Sequence, residues 1–379
     1  MSPTGLYVHV PFCARACPYC DFDFEVGHTD AAIDAWLEGL ERERLGRAGE
    51  LDGVTFDTVY VGGGTPSVLS PAQLRRFSSW LREGLGVDPS GLLEFSVELN
   101  PEHVSPVLLD ALVEVGVDRV SLGVQSLVPE GLRALGRMHD AAQALASVQT
   151  CVARGLRTSA DLIVGWPGHG EAALLDEIDR LLDAGAEHLS IYALTIEQGT
   201  PWPKLVRRGL RVMPDEDEQG ERLLAAERRC TEHGLAHYEI ASYAKPGAEA
   251  VHNSKYWRAL DVVGFGPSAA SVCHGSGIVE RRVNVRGLAA WLGDPDNPER
   301  ERLEGERAAA EGLWLGLRRL GGLDVAAWLE RFAVDRGWLE ARVARQLALG
   351  NLEFLDGGAR LRVSPGRWLW HDDIAVDLL

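Results

Sequence analysis

A chain of 379 residues, 46% of them hydrophobic, is long enough to bury one large core and a smaller second one. Its formal charge of −18 argues against broad binding to a phosphate backbone, which takes clustered Lys and Arg, so no nucleic-acid partner is expected. No stretch approaches the roughly 18 continuous apolar residues of a membrane span, and no secretory pattern follows Met1-Ser2-Pro3-Thr4-Gly5; a cytoplasmic protein without a membrane span is expected.

Leu6 to Val10 reads as a strand that runs into Cys13-Ala14-Arg15-Ala16-Cys17-Pro18-Tyr19-Cys20. Three of the six cysteines fall in this one loop. Cys151, Cys230 and Cys273 stand alone and read as buried small hydrophobes. Clustered cysteines in a large chain without a signal point to metal or redox work rather than to disulfides. Soft thiolates select zinc, copper(I) or iron–sulfur clusters. Three readings stay open on the cysteines alone. Cys17-Pro18-Tyr19-Cys20 fits a thiol–disulfide pair, which leaves Cys13 unexplained. A structural zinc site needs a fourth ligand, with His9 or His28 available. An iron–sulfur cubane normally takes four cysteines, so three local ones leave one iron open.

A helix follows from Thr29, with Ile33, Trp36, Leu37, Leu40 and Leu45 on its apolar face. Asp57 to Val61 is a buried strand ending at Gly62-Gly63-Gly64-Thr65-Pro66. Ser70-Pro71 supplies an N-cap and first-turn proline for a helix through Leu85. Leu92 to Leu99 is the third strand, and Ser105-Pro106 repeats the helix start. Gly116, Gly155, Gly185 and Gly234 then close helices ahead of strands at 120–124, 158–164, 188–194 and 237–241. A βα unit repeated about six times predicts an α/β fold, its parallel sheet curled toward a barrel or doubly wound. Beyond Tyr243 the rhythm stops, with a boundary turn at Lys245-Pro246-Gly247. Val251 to His274 reads as irregular. From Glu299 a mostly helical region follows, with an Asp356-Gly357-Gly358 turn between strands at 352–355 and 359–363, a winged-helix-like module for packing or interaction.

In a βα barrel, ligands gather at the C-terminal ends of the strands. Those ends carry the cysteine loop, Gly62 to Thr65, Glu98-Leu99-Asn100, Gln125-Ser126, Asp161, and Tyr192 near Thr195. Residues without Cβ let backbone approach a ligand closely. Glu98 suits hydroxyls or an ammonium group. Asp161, flanked by Ala160, Leu162, Ile163 and Val164, needs a partner if it is buried. Gln125 and Arg137 admit surface explanations when taken singly.

On these residues the chain resembles the radical SAM superfamily: Tyr7-Val8-His9-Val10-Pro11-Phe12 leads into Cys13, Cys17 and Cys20. Gly62-Gly63-Gly64-Thr65-Pro66, Gly123-Val124-Gln125-Ser126, Leu135-Gly136-Arg137-Met138-His139 and Asp161-Leu162-Ile163-Val164-Gly165 resemble its oxygen-independent coproporphyrinogen III oxidase branch. The resemblance implies a radical SAM (βα)6 partial TIM barrel over 1–243 and a smaller α-rich, winged-helix-like C-terminal domain over 244–379. It implies a [4Fe-4S] cluster on Cys13, Cys17 and Cys20, and S-adenosyl-L-methionine (SAM) contacted by Tyr7, Gly63, Gly64, Thr65 and Glu98. Gln125, Arg137 and Asp161 match positions that contact a second SAM in the oxidase. An electron donor would reduce the cluster, and cleavage of the sulfonium would release a 5′-deoxyadenosyl radical.

The oxidase carries a fourth cysteine two residues beyond its trio, where this chain has Phe22. The trio followed by Asp21-Phe22 resembles instead the HemW group of haem chaperones. So do the stretch from His237 to Gly247 and His252-Asn253-Ser254-Lys255-Tyr256-Trp257, which fits that group's H-N-x-x-Y-W haem-binding motif. Leu313 to Trp328 extends the similarity, whereas Gly264-Phe265-Gly266-Pro267-Ser268 departs from the group's glycine-rich stretch. This resemblance implies haem as cargo, His252 as a ligand to its iron, and Tyr256 and Trp257 against the porphyrin face. It implies haem-accepting, membrane-bound proteins as partners, reached peripherally at the membrane. The alternatives are a true coproporphyrinogen III oxidase making protoporphyrinogen IX, and a structural zinc protein. No catalytic residue is assigned.

Overall fold

Six runs rich in Val, Leu and Ile form the parallel strands β1 (Thr4–Val10), β2 (Phe56–Gly63), β3 (Glu94–Leu99), β4 (Arg119–Gln125), β5 (Arg157–Val164) and β6 (His188–Ala193). The computed structural model describes residues 4–379; Met1, Ser2 and Pro3, read above as part of the lead-in, lie outside the described residues. Helices α1 (Asp30–Gly46), α2 (Pro71–Ser79), α3 (Pro106–Glu114), α4 (Ala141–Ala153) and α5 (Glu171–Asp183) connect the strands. Both faces of such a sheet are covered, so its strands read as near-continuous apolar runs rather than as alternation. Cap residues set the helix starts: Thr29 accepts from the Ala32 N–H, and Ser70 forms a capping box with Gln73 ahead of Pro71.

The expected α/β partial barrel is therefore present, with three local differences. The apolar face of α1 does not run to Leu45, which is 58% exposed; Glu43 takes the buried place one turn after Leu40. The helix expected through Leu85 is α-helical only to Ser79, and a π-helical turn carries Trp80–Gly84. The strand expected at 237–241 is not a further parallel repeat. After α6 (Glu216–Glu232), it divides into β7 (Ala236–Glu239) and β8 (Ser242–Ala244), which pair antiparallel, with β8 antiparallel on β6.

The sheet does not stop at Tyr243. The stretch expected to be irregular folds as α7 (Val251–Trp257), β9 (Val262–Phe265) and β10 (Ala270–Gly275), followed by β11 (Ile278–Val283) and β12 (Glu299–Glu304). β9 adds parallel to the free edge of β1, and β10 to β12 continue antiparallel, giving the order β12-β11-β10-β9-β1-β2-β3-β4-β5-β6-β8-β7. The expected boundary at 243/244 thus falls inside one sheet. A second core forms beyond it, around Leu313, Leu317, Trp328, Phe332 and Leu339, from α8 (Glu306–Leu317), α9 (Val325–Phe332), α10 (Arg336–Ala348) and α11 (His371–Leu378). The three-stranded antiparallel sheet β13 (Leu323–Asp324), β15 (Arg360–Val363) and β14 (Leu352–Leu355) packs with it, the expected hairpin with one strand more.

Candidate functional site

Each parallel strand ends at the same face, and a cavity of about 430 Å³ opens there. Cys13, Cys17 and Cys20 line it together with Gly63, Gly64, Thr65, Glu98, Gln125, Arg137 and Asp161. The candidates for cluster and SAM are thus brought together except Tyr7, whereas His252, Tyr256 and Trp257, expected at the haem, do not line this cavity. The cysteine loop is pinned at both ends by a short parallel pairing of Phe12 with Glu25 and Cys13 with Val26.

The glycine run works by subtraction. A Cβ on Gly62 would stand 2.7 Å from the Glu98 carboxyl, and one on Gly64 would stand 2.6 Å from the Phe12 carbonyl oxygen. Gly63 has φ +101°, and a Cβ there would stand 2.4 Å from the His9 ring. Glu98 is held in the space this leaves. Its Oε1 accepts from the Tyr60 hydroxyl at 2.7 Å and its Oε2 from the Gly63 N–H at 3.1 Å. Burial drives the Glu98 carboxyl up to about 7, against the pull of the Tyr60 hydrogen bond.

One hydrogen-bonded chain ties two cysteines together across the cavity. The Thr65 hydroxyl donates to Cys13 Sγ at 3.2 Å and accepts from Asn100 Nδ2 at 3.3 Å. Asn100 Oδ1 accepts from Arg137 Nη2 at 2.6 Å, and Arg137 Nη1 lies 3.4 Å from Cys17 Sγ. Arg137 Nη2 also donates to the Gly123 carbonyl at 2.8 Å. Gly123 leaves room for this crossing, since a Cβ on it would meet Gln125, Asn100 and Arg137 within 3.0–3.4 Å. Gln125 itself has φ 65°, a left-handed backbone that non-glycine residues adopt sparingly. Across the cavity the Ser121 hydroxyl lies 3.1 Å from both oxygens of Asp161, whose carboxyl burial pushes up to about 6.

Three free thiols facing one cavity, two of them met by polar hydrogens, form a donor set suited to an iron–sulfur cluster. Burial raises the Cys13 thiol, and it raises Cys20 to about 11, so ligation would displace protons from those sulfurs. Of the two histidines open to the zinc reading, His9 is engaged at both ring nitrogens, by the Tyr7 hydroxyl at 3.0 Å and the Asp23 carbonyl at 2.8 Å, and the His28 ring lies against Phe12. Among the described residues, no three His, Cys, Asp or Glu side chains are close enough to hold a single metal ion. The redox-pair reading lacks its helix start, because Cys17 to Cys20 form a turn.

Tyr7 opens onto an adjoining groove of about 400 Å³ that shares Phe22, Gly63 and Glu98 with the cavity. His252 lies outside the cavity lining: it is fully buried, with Nδ1 3.0 Å from the Thr58 hydroxyl and Nε2 3.1 Å from the Tyr256 hydroxyl. Phe22 is 62% exposed at the rim, where a fourth thiol was absent from the sequence. Sequence reasoning missed Tyr60 and Ser121, placed Asn253 in the haem motif rather than at this cavity, and named Asn100 only as a strand end. Tyr60 was findable, being two residues before Gly62 and so on the same face of β2.

The radical SAM superfamily model matches residues 7–181. "Heme chaperone HemW" of Mycobacterium tuberculosis is 38% identical over 75% of this chain and 72% of its own. The protein of that name in Bacillus subtilis is 31% identical over 90% of each chain. The solved structure of coproporphyrinogen III oxidase (HemN) from Escherichia coli, a radical SAM enzyme, superposes with a TM-score of 0.83 at 22% identity, over 99% of this chain and 90% of that one. At that identity the likeness shows the fold alone. The extent and level of similarity to the two chaperones settle the lineage: the chain belongs to the HemW haem-chaperone family of the radical SAM superfamily.

Proposed function

We propose that this protein binds haem and delivers it to haem-dependent proteins, with a [4Fe-4S] cluster on Cys13, Cys17 and Cys20 and SAM in the adjoining cavity. The observation that carries the reading is Phe22: the chain has the thiolate trio and its cavity, yet an exposed phenyl ring stands where the oxidase branch has a further thiol. An open-iron cluster with SAM, once bound, supplies reductive cleavage of the sulfonium. The chain's own residues prepare that site. Thr65 places a polar hydrogen on Cys13 Sγ, which opposes the burial that raises that thiol, and Arg137 sets its guanidinium 3.4 Å from Cys17 Sγ. Glu98, in its ionised form, would accept the amino group of SAM, and Gly63 and Gly64 would admit the ligand's edge. Tyr7 would close the adjoining groove. Gln125 and Asp161, with Arg137, would hold hydroxyl or charged groups on the far side of the cavity.

Residues 1–243 would carry cluster and SAM, and 244–379 would engage the haem-accepting proteins, among them membrane-bound ones approached from the surface. No helix among the described residues is long and apolar enough to cross a membrane. An external electron donor would reduce the cluster. Haem transfer is the test: haem-loaded, anaerobically reconstituted protein should restore activity to an apo haem enzyme. A Cys13/Cys17/Cys20 triple alanine variant should lose the roughly four irons and four sulfides of a cubane and transfer poorly. Transfer no faster than from free haem would defeat the proposal.

A further inference from the structure

The H-N-x-x-Y-W stretch is not a surface loop. Helix α7 lies against the N-terminal ends of the barrel strands, opposite the mouth. Glu94, the first residue of β3, accepts from the Val251 and His252 N–H groups at 2.8 and 3.1 Å. Lys255 Nζ is 2.6 Å from Asp57 Oδ1, at the start of β2. A Cβ on Gly5, near the start of β1, would meet Lys255 and His252 at 3.0 and 3.1 Å. Asn253, on the same helix, lines the mouth cavity from below. This helix is a floor, and its upper surface is the cavity's lower wall.

From His252 a stack of rings rises toward the site. The imidazole lies on the Tyr60 ring with centroids 5.3 Å apart and planes 30° apart, and Tyr60 stacks on Tyr7 at 6.2 Å and 28°. Hydrogen bonds leave this stack in two directions. The Tyr60 hydroxyl donates to Glu98, and the Tyr7 hydroxyl meets His9, whose other nitrogen meets the Asp23 carbonyl just beyond Cys20. The imidazole's orientation is fixed in turn by Thr58 and Tyr256. Every ring in this path is buried or half-buried, and offset aromatic pairs of this kind hold each other's orientation.

We propose that His252 is a positioning residue for the SAM cavity: clamped by Thr58 and Tyr256, it supports Tyr60 from beneath and so fixes the Glu98 carboxylate that receives the ligand's ammonium group. The proposal rests on the reading of the cavity as a SAM site. Removing the ring removes the support under Tyr60 while leaving every cysteine and every cavity-lining side chain in the sequence.

Titration of SAM onto anaerobically reconstituted protein tests this. His252→Ala should raise the SAM dissociation constant about tenfold. His252→Phe, which keeps a ring under Tyr60, should bring it back within about threefold. The pH midpoint of SAM binding should also move upward in His252→Ala, because a loosened Tyr60 no longer favours the ionised form of Glu98, leaving only the Gly63 N–H to oppose burial and the nearby Asp161. Wild-type binding with His252→Ala and His252→Phe both at wild-type affinity would overturn this proposal alone. A reconstituted wild-type protein that does not bind SAM would overturn the reading of the cavity along with it.

Discussion

Glu98 is the residue on which the cavity's charge turns. Half-buried, and up at about 7, it is largely protonated in mildly acidic solution and ionised above neutrality. A ligand that brings an ammonium group needs the ionised form. SAM affinity should therefore be flat above about pH 7.5 and fall by up to about tenfold per pH unit well below 7, with proton release on binding near pH 6. Calorimetry in buffers of different ionisation enthalpy reads that proton directly. Glu98→Gln should abolish the pH dependence and leave the weak affinity at all pH values; a pH-dependent Glu98→Gln protein would assign the titration elsewhere. At this scale the sequence was informative about residue type and poor about direction. Glu98 and Asp161 stood out as carboxylates at strand ends, and both face the cavity. His252 stood out as a titratable residue in a motif, yet it is held by Tyr256 one turn along its own helix and by Thr58 of β2, and a contact between segments nearly two hundred residues apart leaves no local trace.

Among the elements, the βα repeats were legible because each carries its own punctuation. Ser-Pro starts, glycine C-caps and unbroken apolar strands belong to one segment at a time and need no partner to be seen. The sheet's extension was not legible, for a physical reason. β11 and β12 are stabilised across strands by Arg281 with Glu301 and Arg302 with Glu280, so their sequences read as charge rather than as buried strand. What anchors this extension is a buried polar joint. Glu43 of α1 and Arg47, its C-cap, pair at 2.8 Å with both side chains essentially inaccessible; Arg47 also donates to the Gly264 carbonyl at 2.7 Å, and Glu43 accepts from Gly266 N–H and Trp291. Arg47→Met would strand a buried carboxylate and should cost about 3–5 kcal/mol in denaturant unfolding. The double variant Glu43→Leu/Arg47→Met should recover much of that loss. A single variant as stable as the wild type would show that the joint does not hold the sheet to α1.

The whole molecule joins two cores through one continuous sheet. The barrel half presents the thiolate trio and its cavity. The second half extends the sheet through β9 to β12, supplies the barrel's floor through α7, and builds the smaller core around α8 to α11. A linear reading places a boundary where the repeat ends, at Tyr243, because periodicity reports local pattern and not which edge a later strand will join. Membership in the HemW family and the phenyl ring of Phe22 at the cavity rim both favour haem handling over porphyrinogen oxidation. The most direct measurement gives anaerobically reconstituted protein SAM, a reductant and coproporphyrinogen III, and titrates the same preparation with haem in parallel. The account predicts a saturable haem complex with a shifted Soret band and no accumulation of protoporphyrinogen IX; protoporphyrinogen IX formed over multiple turnovers would contradict it.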